Sequence, residues 1–343
     1  MSDFNKIQRL WEKSFNDAGI PQHLYAAYLQ YIKLLTERDI PIIFEFDHLC
    51  RLLGRKKSYL ASAINSPWNH YRTFKIPKRR GGFREINAPY PALLECQQWI
   101  NSNILSKVNT HSSAHGFQKN KSIITNASAH LAQRCLLKAD IKDFFPSITM
   151  PMVIRVFRRL GYTLNISIYL SKLCTLDNCL PQGAATSPSL SNIVSFGMDI
   201  RLSALANSYG INYTRYADDM AFSGYYIPHN IITIINSIIR DFKFILNPEK
   251  TSLSVGNSKK IVTGLSVNSE SLKIPRAYKR KLRQEIHYIR KYGYASHAMK
   301  KKIRNPFYID SLNGKIRFWL SIEPENKFAL ESASLLSKLL TTN

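Results

Sequence analysis

Asn212-Tyr213-Thr214-Arg215-Tyr216-Ala217-Asp218-Asp219-Met220-Ala221-Phe222-Ser223 reads as two β-type runs, Asn212–Tyr216 and Met220–Ser223, closing on a tight turn with two adjacent carboxylates. Ala-Asp is a poor dipeptide for a two-residue hairpin turn, which ordinarily takes Asn-Gly, Asp-Gly or a leading Gly, and neighbouring carboxylates repel. Local rules broken in this way concentrate at functional sites, and divalent cations would relieve the repulsion. Taken alone, the dipeptide serves equally well as a turn cap.

Outward from this hairpin, a strand over residues 136–140 ends on Asp140. Ser187 as N-cap with Pro188 at the first helical position signals a helix start. Ile231, Ile235, Ile238, Phe242 and Ile245 fall on one helical face, and Ser252–Val255 supplies a last strand. The order β-α-β-β-α-β is ferredoxin-like, and in it the first and third strands are neighbours, so Asp140 converges with Asp218 and Asp219. Oxygen ligands with no His or Cys nearby in sequence point to Mg2+, with Mn2+ as a substitute. Two such ions are the standard device for in-line displacement at phosphorus.

The flanks are helical. Ile7, Trp11 and Phe15 recur at helical spacing before Gly19 and Pro21, and further helices are predicted over residues 24–35 and 46–64. Residues 71–86 read as a hairpin with a basic Arg80-Gly81-Gly82 turn, and residues 95–108 as a helix. Beyond Lys259, residues 261–267 and 272–274 predict another hairpin. The next helix sets Tyr278, Leu282, Ile286 and Ile289 on one side and Lys279, Arg280, Arg283 and Arg290 on another. Between Lys273 and Lys302 there are eleven Lys or Arg and one acid, with Tyr288, Tyr292 and Tyr294 interleaved, the composition of a nucleic-acid surface.

Composition agrees. The chain has 343 residues, 45% hydrophobic and 21% charged, which excludes a disordered or collagen-like chain, while 48 Lys and Arg against 23 Asp and Glu give a net charge of +25. A polyanionic partner relieves that self-repulsion. Five scattered Cys without Cys-x-x-Cys spacing read as reduced thiols in a cytoplasm, and no apolar run suffices to span a membrane.

Four stretches in order carry a resemblance: Asp140-Ile141-Lys142-Asp143-Phe144-Phe145, Leu180-Pro181-Gln182-Gly183 with Ser187-Pro188, Tyr216-Ala217-Asp218-Asp219, and Leu246-Asn247-Pro248-Glu249-Lys250-Thr251. The series resembles the motifs of reverse transcriptases, from about Tyr71 to at least Val267. The resemblance implies an α+β right-hand polymerase with fingers, ferredoxin-like palm and helical thumb. Asp140 and Asp218 would ligate two metals, with Asp219 beside them and the Ile141 carbonyl completing a shell. Phe145 would stand under the incoming sugar and exclude a 2′-hydroxyl. Gln182 and Gly183 would lie against the nucleotide, the Gly permitting close approach of the template–nucleotide pair. Arg84, with Lys78 or Arg79, would grip the dNTP triphosphate, and Lys250 would protonate departing pyrophosphate.

Asn126-Ala127-Ser128-Ala129-His130 and Val262-Thr263-Gly264 resemble the Asn-Ala-x-x-His and Val-Thr-Gly markers of retron reverse transcriptases. That narrower resemblance implies a cognate structured non-coding RNA as template, priming from the 2′-hydroxyl of a branching guanosine, a short single-stranded DNA product, and anti-phage defence with a separate effector protein. The implied layout is residues 1–70 helical, 71–135 fingers, 136–258 palm with inserted finger helices at about 150–178, and 259–343 primer-grip hairpin and thumb. A group II intron or abortive-infection enzyme, or a non-catalytic RNA-binding scaffold, is the alternative reading.

Overall fold

A computed structural model describes residues 2–78 and 81–341, with side chains in the first helix from Gln8 onward. Arg79, one of the proposed triphosphate contacts, lies outside the described residues, as does Arg80. Eight strands are present among those described: β1 (Tyr71–Pro77), β2 (Phe83–Pro89), β3 (Cys135–Asp140), β4 (Asn212–Tyr216), β5 (Asp219–Gly224), β6 (Ser252–Val255), β7 (Ile261–Val262) and β8 (Leu265–Ser266). β1 pairs with β2 and β7 with β8, while the other four form an antiparallel sheet ordered β4-β5-β3-β6. Within the β-α-β-β-α-β series this is the order second, third, first, fourth, which is ferredoxin-like.

The chain divides into two compact units. One runs to Phe117 and takes in Ile141–Arg201 and Ser237–Ile245. Its buried side chains include Ile32, Leu35, Leu93, Ile100, Phe157 and Leu170. Gln97, fully buried, ties three of its elements together: Nε2 donates to Tyr71 Oη (2.8 Å) and to the Leu173 carbonyl (2.9 Å), and Oε1 accepts from the Ala185 amide (3.1 Å).

The other unit comprises Gln118–Asp140, Leu202–Asn236 and the chain from Leu246 onward. Leu136 and Ala221 on one sheet face share a core with Ala127, with Val262 and Leu265 of the β7–β8 hairpin, and with Leu282, Ile286, Ile316 and Trp319 of the C-terminal helices. On the opposite face, Tyr213 and Phe222 stack with ring centroids 4.7 Å apart.

Several local expectations need correction. The helix over residues 46–64 is two helices, Phe46–Leu52 and Lys57–Asn65, because Gly54 with φ +61° ends the first. The helix expected from residue 95 is Pro91–Asn103, since Pro91 fits the first turn. Ile231–Asp241 stops before Phe242: Lys243 has φ +66° and Ile245 is 60% exposed, so Ile245 is no part of the apolar face. Ser187 is the first residue of its helix rather than the N-cap, and its hydroxyl donates to the Pro181 carbonyl (2.7 Å). The hairpin beyond Lys259 turns on Thr263-Gly264, leaving residues 272–274 only a bridge between Ser266 and Lys273.

Candidate active site

The sheet register sets Asp140 opposite Asp219, with Tyr216 opposite Asp219 on the other side. Only Ala217 and Asp218 remain to reverse the chain. Ala217 takes φ +56°, a region an L-residue enters at a cost, and two contacts compensate. Ala217 is buried, and the fully buried Arg215 donates from Nη1 to its carbonyl (3.0 Å). Asp140 is buried, Asp218 half-buried and Asp219 exposed.

Asp140 is held from two sides. The Asn247 amide donates to its carbonyl (2.7 Å) and Asn247 Nδ2 to its Oδ1 (3.3 Å). Asn247 Oδ1 accepts from the Glu249 amide (3.2 Å), capping the short turn Pro248–Lys250. That turn brings Lys250 Nζ to 2.9 and 2.8 Å from the two Asp140 carboxylate oxygens. Burial depresses the Lys250 pKa, but Asp140, Asp218 and Asp219 outweigh it and hold the group above its ordinary value, so the ammonium keeps its proton.

Burial, then the charges of Asp219 and Asp140, push Asp218 up to about 6. Asp219 is also raised, first by burial, with Lys138 and Lys250 opposing the effect of Asp140. Ionisation of Asp218 and Asp219 is thus opposed by burial and by Asp140, a repulsion that a bound cation would relieve. Among the described residues no three acidic, His or Cys groups close into a ready-made cage, and Lys250 sits on Asp140. The donor set fits a hard divalent ion nonetheless: all-oxygen, mutually repelling, at one end of a rigid sheet. In the metal-free protein, the protonated Asp218 supports folding below its ordinary value of 3.8, and that contribution is lost as pH rises through about 6. Bound cations reverse the sign. Thermal stabilisation by Mg2+ should therefore be full above pH 7 and fall by up to about tenfold in apparent affinity per pH unit below 6, measured by melting curves at fixed ionic strength.

In the other unit, Gly183 has φ +123°, and a Cβ there would lie 2.8 Å from the Asn87 carbonyl oxygen. The Asn87 amide donates to the Gln182 carbonyl at 2.7 Å. The close approach that requires glycine within the protein is to the backbone of β2. Arg84 and Lys78 are exposed on the β1–β2 hairpin. Ile141 is buried directly after Asp140. Phe145 is half-buried, its ring 5.5 Å from Phe144 and 6.3 Å from the exposed Phe117. Asn192, fully buried, donates from Nδ2 to the Gly116 carbonyl (2.8 Å) beside Phe117.

The basic helix, Arg276–Tyr292, buries Leu282, Ile286 and Ile289 as expected. Its cations are less free than the helical wheel implies. Lys279 pairs with Glu323 (2.6 Å) and lies over Trp319, Arg283 lies over Trp319 and Phe328, and Arg290 lies over Phe328 and meets Glu331 (3.3 Å). Arg280 is exposed. Tyr288 stacks on Tyr292 and His297, and Tyr294 packs against the core, leaving Tyr292 the most open of the three tyrosines at 52%. The run's one acid, Glu285, is buried and accepts from Tyr308 Oη (2.7 Å), His297 Nε2 (2.9 Å) and Lys301.

The two marker stretches meet. Asn126 Nδ2 is 3.5 Å from Thr263 Oγ1, and His130 contacts Ser223 and Thr214. Val262 is buried, and Gly264 takes φ +85° at the hairpin turn.

The sequence reading gives no role to Asn247, Arg215 or Asn192. Asn before Pro-Glu is a cap signal, and an Arg between Thr214 and Tyr216 in a strand that leads into the turn is a flag, whereas nothing local marks Asn192.

The family described as reverse transcriptase (RNA-dependent DNA polymerase) matches residues 76–289. The chain belongs to this family and has the reverse transcriptase fold. Retron Ec86 reverse transcriptase of Escherichia coli is 37% identical over 268 residues, covering 77% of this chain and 83% of that one. Retron Mx162 and Mx65 reverse transcriptases of Myxococcus xanthus are 35% and 36% identical over 64% of this chain, and the matches span 52% and 56% of their own lengths. Within its family the chain is thus a retron-type RNA-directed DNA polymerase that uses an RNA template. The family generally uses divalent metal ions. No helix among the described residues is long and apolar enough to cross a membrane.

Proposed function

We propose that this enzyme copies a cognate structured non-coding RNA into short single-stranded DNA, starting from the 2′-hydroxyl of a branching guanosine, and acts in anti-phage defence in the cytoplasm with a separate effector protein. What supports the reading is the register pairing of Asp140 with Asp219, one residue from Asp218, in a chain that also carries both retron markers.

Asp140, Asp218 and Asp219, with the Ile141 carbonyl, would hold two Mg2+. When bound, such ions supply charge neutralisation at phosphorus and lower the pKa of the attacking hydroxyl. Arg84 and Lys78 hold the triphosphate, and Gln182 and Gly183 shape the nucleotide site through β2. Phe145 rejects a 2′-hydroxyl by bulk. Lys250, which keeps its proton, delivers it to pyrophosphate as the bond to the α-phosphorus breaks. The β1–β2 region serves as fingers, the four-stranded sheet as palm, and residues 259–343 as primer-grip hairpin and thumb, where the exposed Arg280, with Arg283 and Arg290, faces an RNA stem through its phosphates and Lys279 is held back by Glu323.

Purification of the full chain from its native host, followed by sequencing of the bound nucleic acid, tests this. The expected product is DNA joined 2′,5′ to RNA, sensitive to debranching. Unbranched DNA carrying an ordinary 3′,5′ junction would overturn the priming assignment while leaving polymerase activity in place.

A further inference from the structure

Residues 122–132 are fastened to two hairpins at once. The helix Ile123–Ser128 has six residues, too few to be stable alone, and its start is closed by a capping box in which Ser122 Oγ accepts from the Thr125 amide and Thr125 Oγ1 accepts from the Ser122 amide. Toward the β7–β8 hairpin, Asn126 Nδ2 reaches Thr263 Oγ1, and that hydroxyl donates to the Ile123 carbonyl (2.9 Å). The Ala132 amide donates to the Val267 carbonyl (3.0 Å) just beyond the same hairpin. Toward the β4–β5 hairpin, Asn212 Nδ2 donates to the Ala129 carbonyl (3.0 Å), His130 Nε2 lies 2.7 Å from Thr214 Oγ1, and His130 Nδ1 lies 2.6 Å from Ser223 Oγ.

The His130 contacts are placed where a small shift matters. Thr214 stands two residues before Tyr216 and Ser223 four after Asp219, and the two-residue alternation puts Thr214, Asp219 and Ser223 on one face of the sheet. Each hydroxyl can donate or accept, so a neutral imidazole is satisfied in either tautomer. His130 is fully buried and Asn126 is 2% exposed, so neither reaches a nucleic acid without the core opening. The contacts share a continuous apolar core through Ala127, Ala221, Val262 and Leu265.

We propose that this segment is a strut: His130 and Asn126 are positioning residues that hold the carboxylate-bearing β4–β5 hairpin and the β7–β8 hairpin in one frame, and they do not contact RNA. The inference rests on the catalytic role assigned to Asp218 and Asp219. Misplacement of a reacting group by about 1 Å costs on the order of 100-fold in rate, so loosening either attachment acts on the chemical step.

The test uses the full chain with its RNA and compares His130→Ala, His130→Gln, Asn126→Ala, Thr263→Val and the double variant Asn126→Ala/Thr263→Val. Single-turnover dNTP incorporation at saturating Mg2+, RNA Kd and melting temperature are measured together, below the melting transition of every variant. His130→Ala and Thr263→Val should each slow incorporation on the order of 10–100-fold with RNA Kd changed less than about twofold. His130→Gln, which keeps a donor and an acceptor, should recover part of the rate. The double variant should be no slower than the worse of its two singles, because both changes break one attachment. Thr263→Val removes one hydroxyl at nearly constant volume from a residue at φ +44°, and gives a second, independent variant if His130→Ala fails to fold. Weakened RNA binding with an unchanged rate in the bound complex would make these residues RNA contacts and overturn the strut, as would losses that track only the folded fraction. An active Asp218→Asn enzyme would instead remove the carboxylate assignment, whatever the strut variants do.

Discussion

Asp218→Asn should abolish DNA synthesis, by at least ~1000-fold, and stabilise the metal-free protein in the same step. Both outcomes come from one physical fact. Asp218 is charged at working pH only against burial and the charges of Asp219 and Asp140, which push its pKa up to about 6. An amide occupies the same space without the charge, as the protonated carboxyl does. The gain in stability should therefore appear above pH 6, reach on the order of 1–2 kcal/mol after allowance for solvent access, and vanish below about pH 4. Melting curves of both proteins from pH 4 to 8 read this directly. Mg2+ should raise the melting temperature of the unmodified enzyme at pH 8 and raise that of the variant far less, while RNA affinity stays unchanged. A variant that polymerises at the original rate, or one destabilised above pH 6, would contradict the assignment.

Gly183→Ala should produce the second large effect, through the backbone. Gly183 has φ +123°, where an L-residue is strained by about 1–3 kcal/mol. Its new Cβ would also meet the Asn87 carbonyl oxygen at 2.8 Å, the Asn87 carbonyl carbon at 3.1 Å and Ile86 Cγ2 at 3.0 Å. The loop cannot retreat without stretching the 2.7 Å bond from the Asn87 amide to the Gln182 carbonyl. The expected result is a lowered melting temperature and a raised KM for dNTPs. Gly54→Ala is the control: Gly54 also has positive φ, +61°, but nothing lies within 4 Å of its added Cβ, and it stands apart from the β1–β2 hairpin. It should show the conformational strain without the displacement of β2. Equal KM changes in the two variants would mean that strain alone, and no contact with β2, governs this loop.

The strand order and the convergence of Asp140 with Asp219 are legible in the sequence because strand alternation and the β-α-β-β-α-β series leave few ways to pair the sheet. What escapes is set by contacts between distant segments. That Lys250 lands on Asp140 depends on Asn247 bonding the Asp140 carbonyl, and a motif read as a string does not show where its turn is anchored. A helical wheel separates the Arg276–Tyr292 helix into apolar and basic faces, yet it cannot show that Trp319, Glu323 and Phe328 come from later helices to meet Lys279, Arg283 and Arg290. Glycine at position 183 is apparent, but its reason is a β2 carbonyl almost a hundred residues earlier. Helix ends at Gly54 and Lys243 turn on single positive φ values, which periodicity does not register.

The buried Arg215 beneath the Ala217 carbonyl has a consequence for how this enzyme meets acid. A guanidinium does not lose its charge at any pH a cell experiences, so the support under the loop is permanent, while Asp218 above it exchanges its proton near pH 6. Acidification thus neutralises the carboxyl group at the turn but leaves the Arg215 support beneath the Ala217 carbonyl unchanged. In the metal-free protein, a fall in pH is thus expected to change the charge above the loop while the guanidinium beneath it keeps its place and its charge.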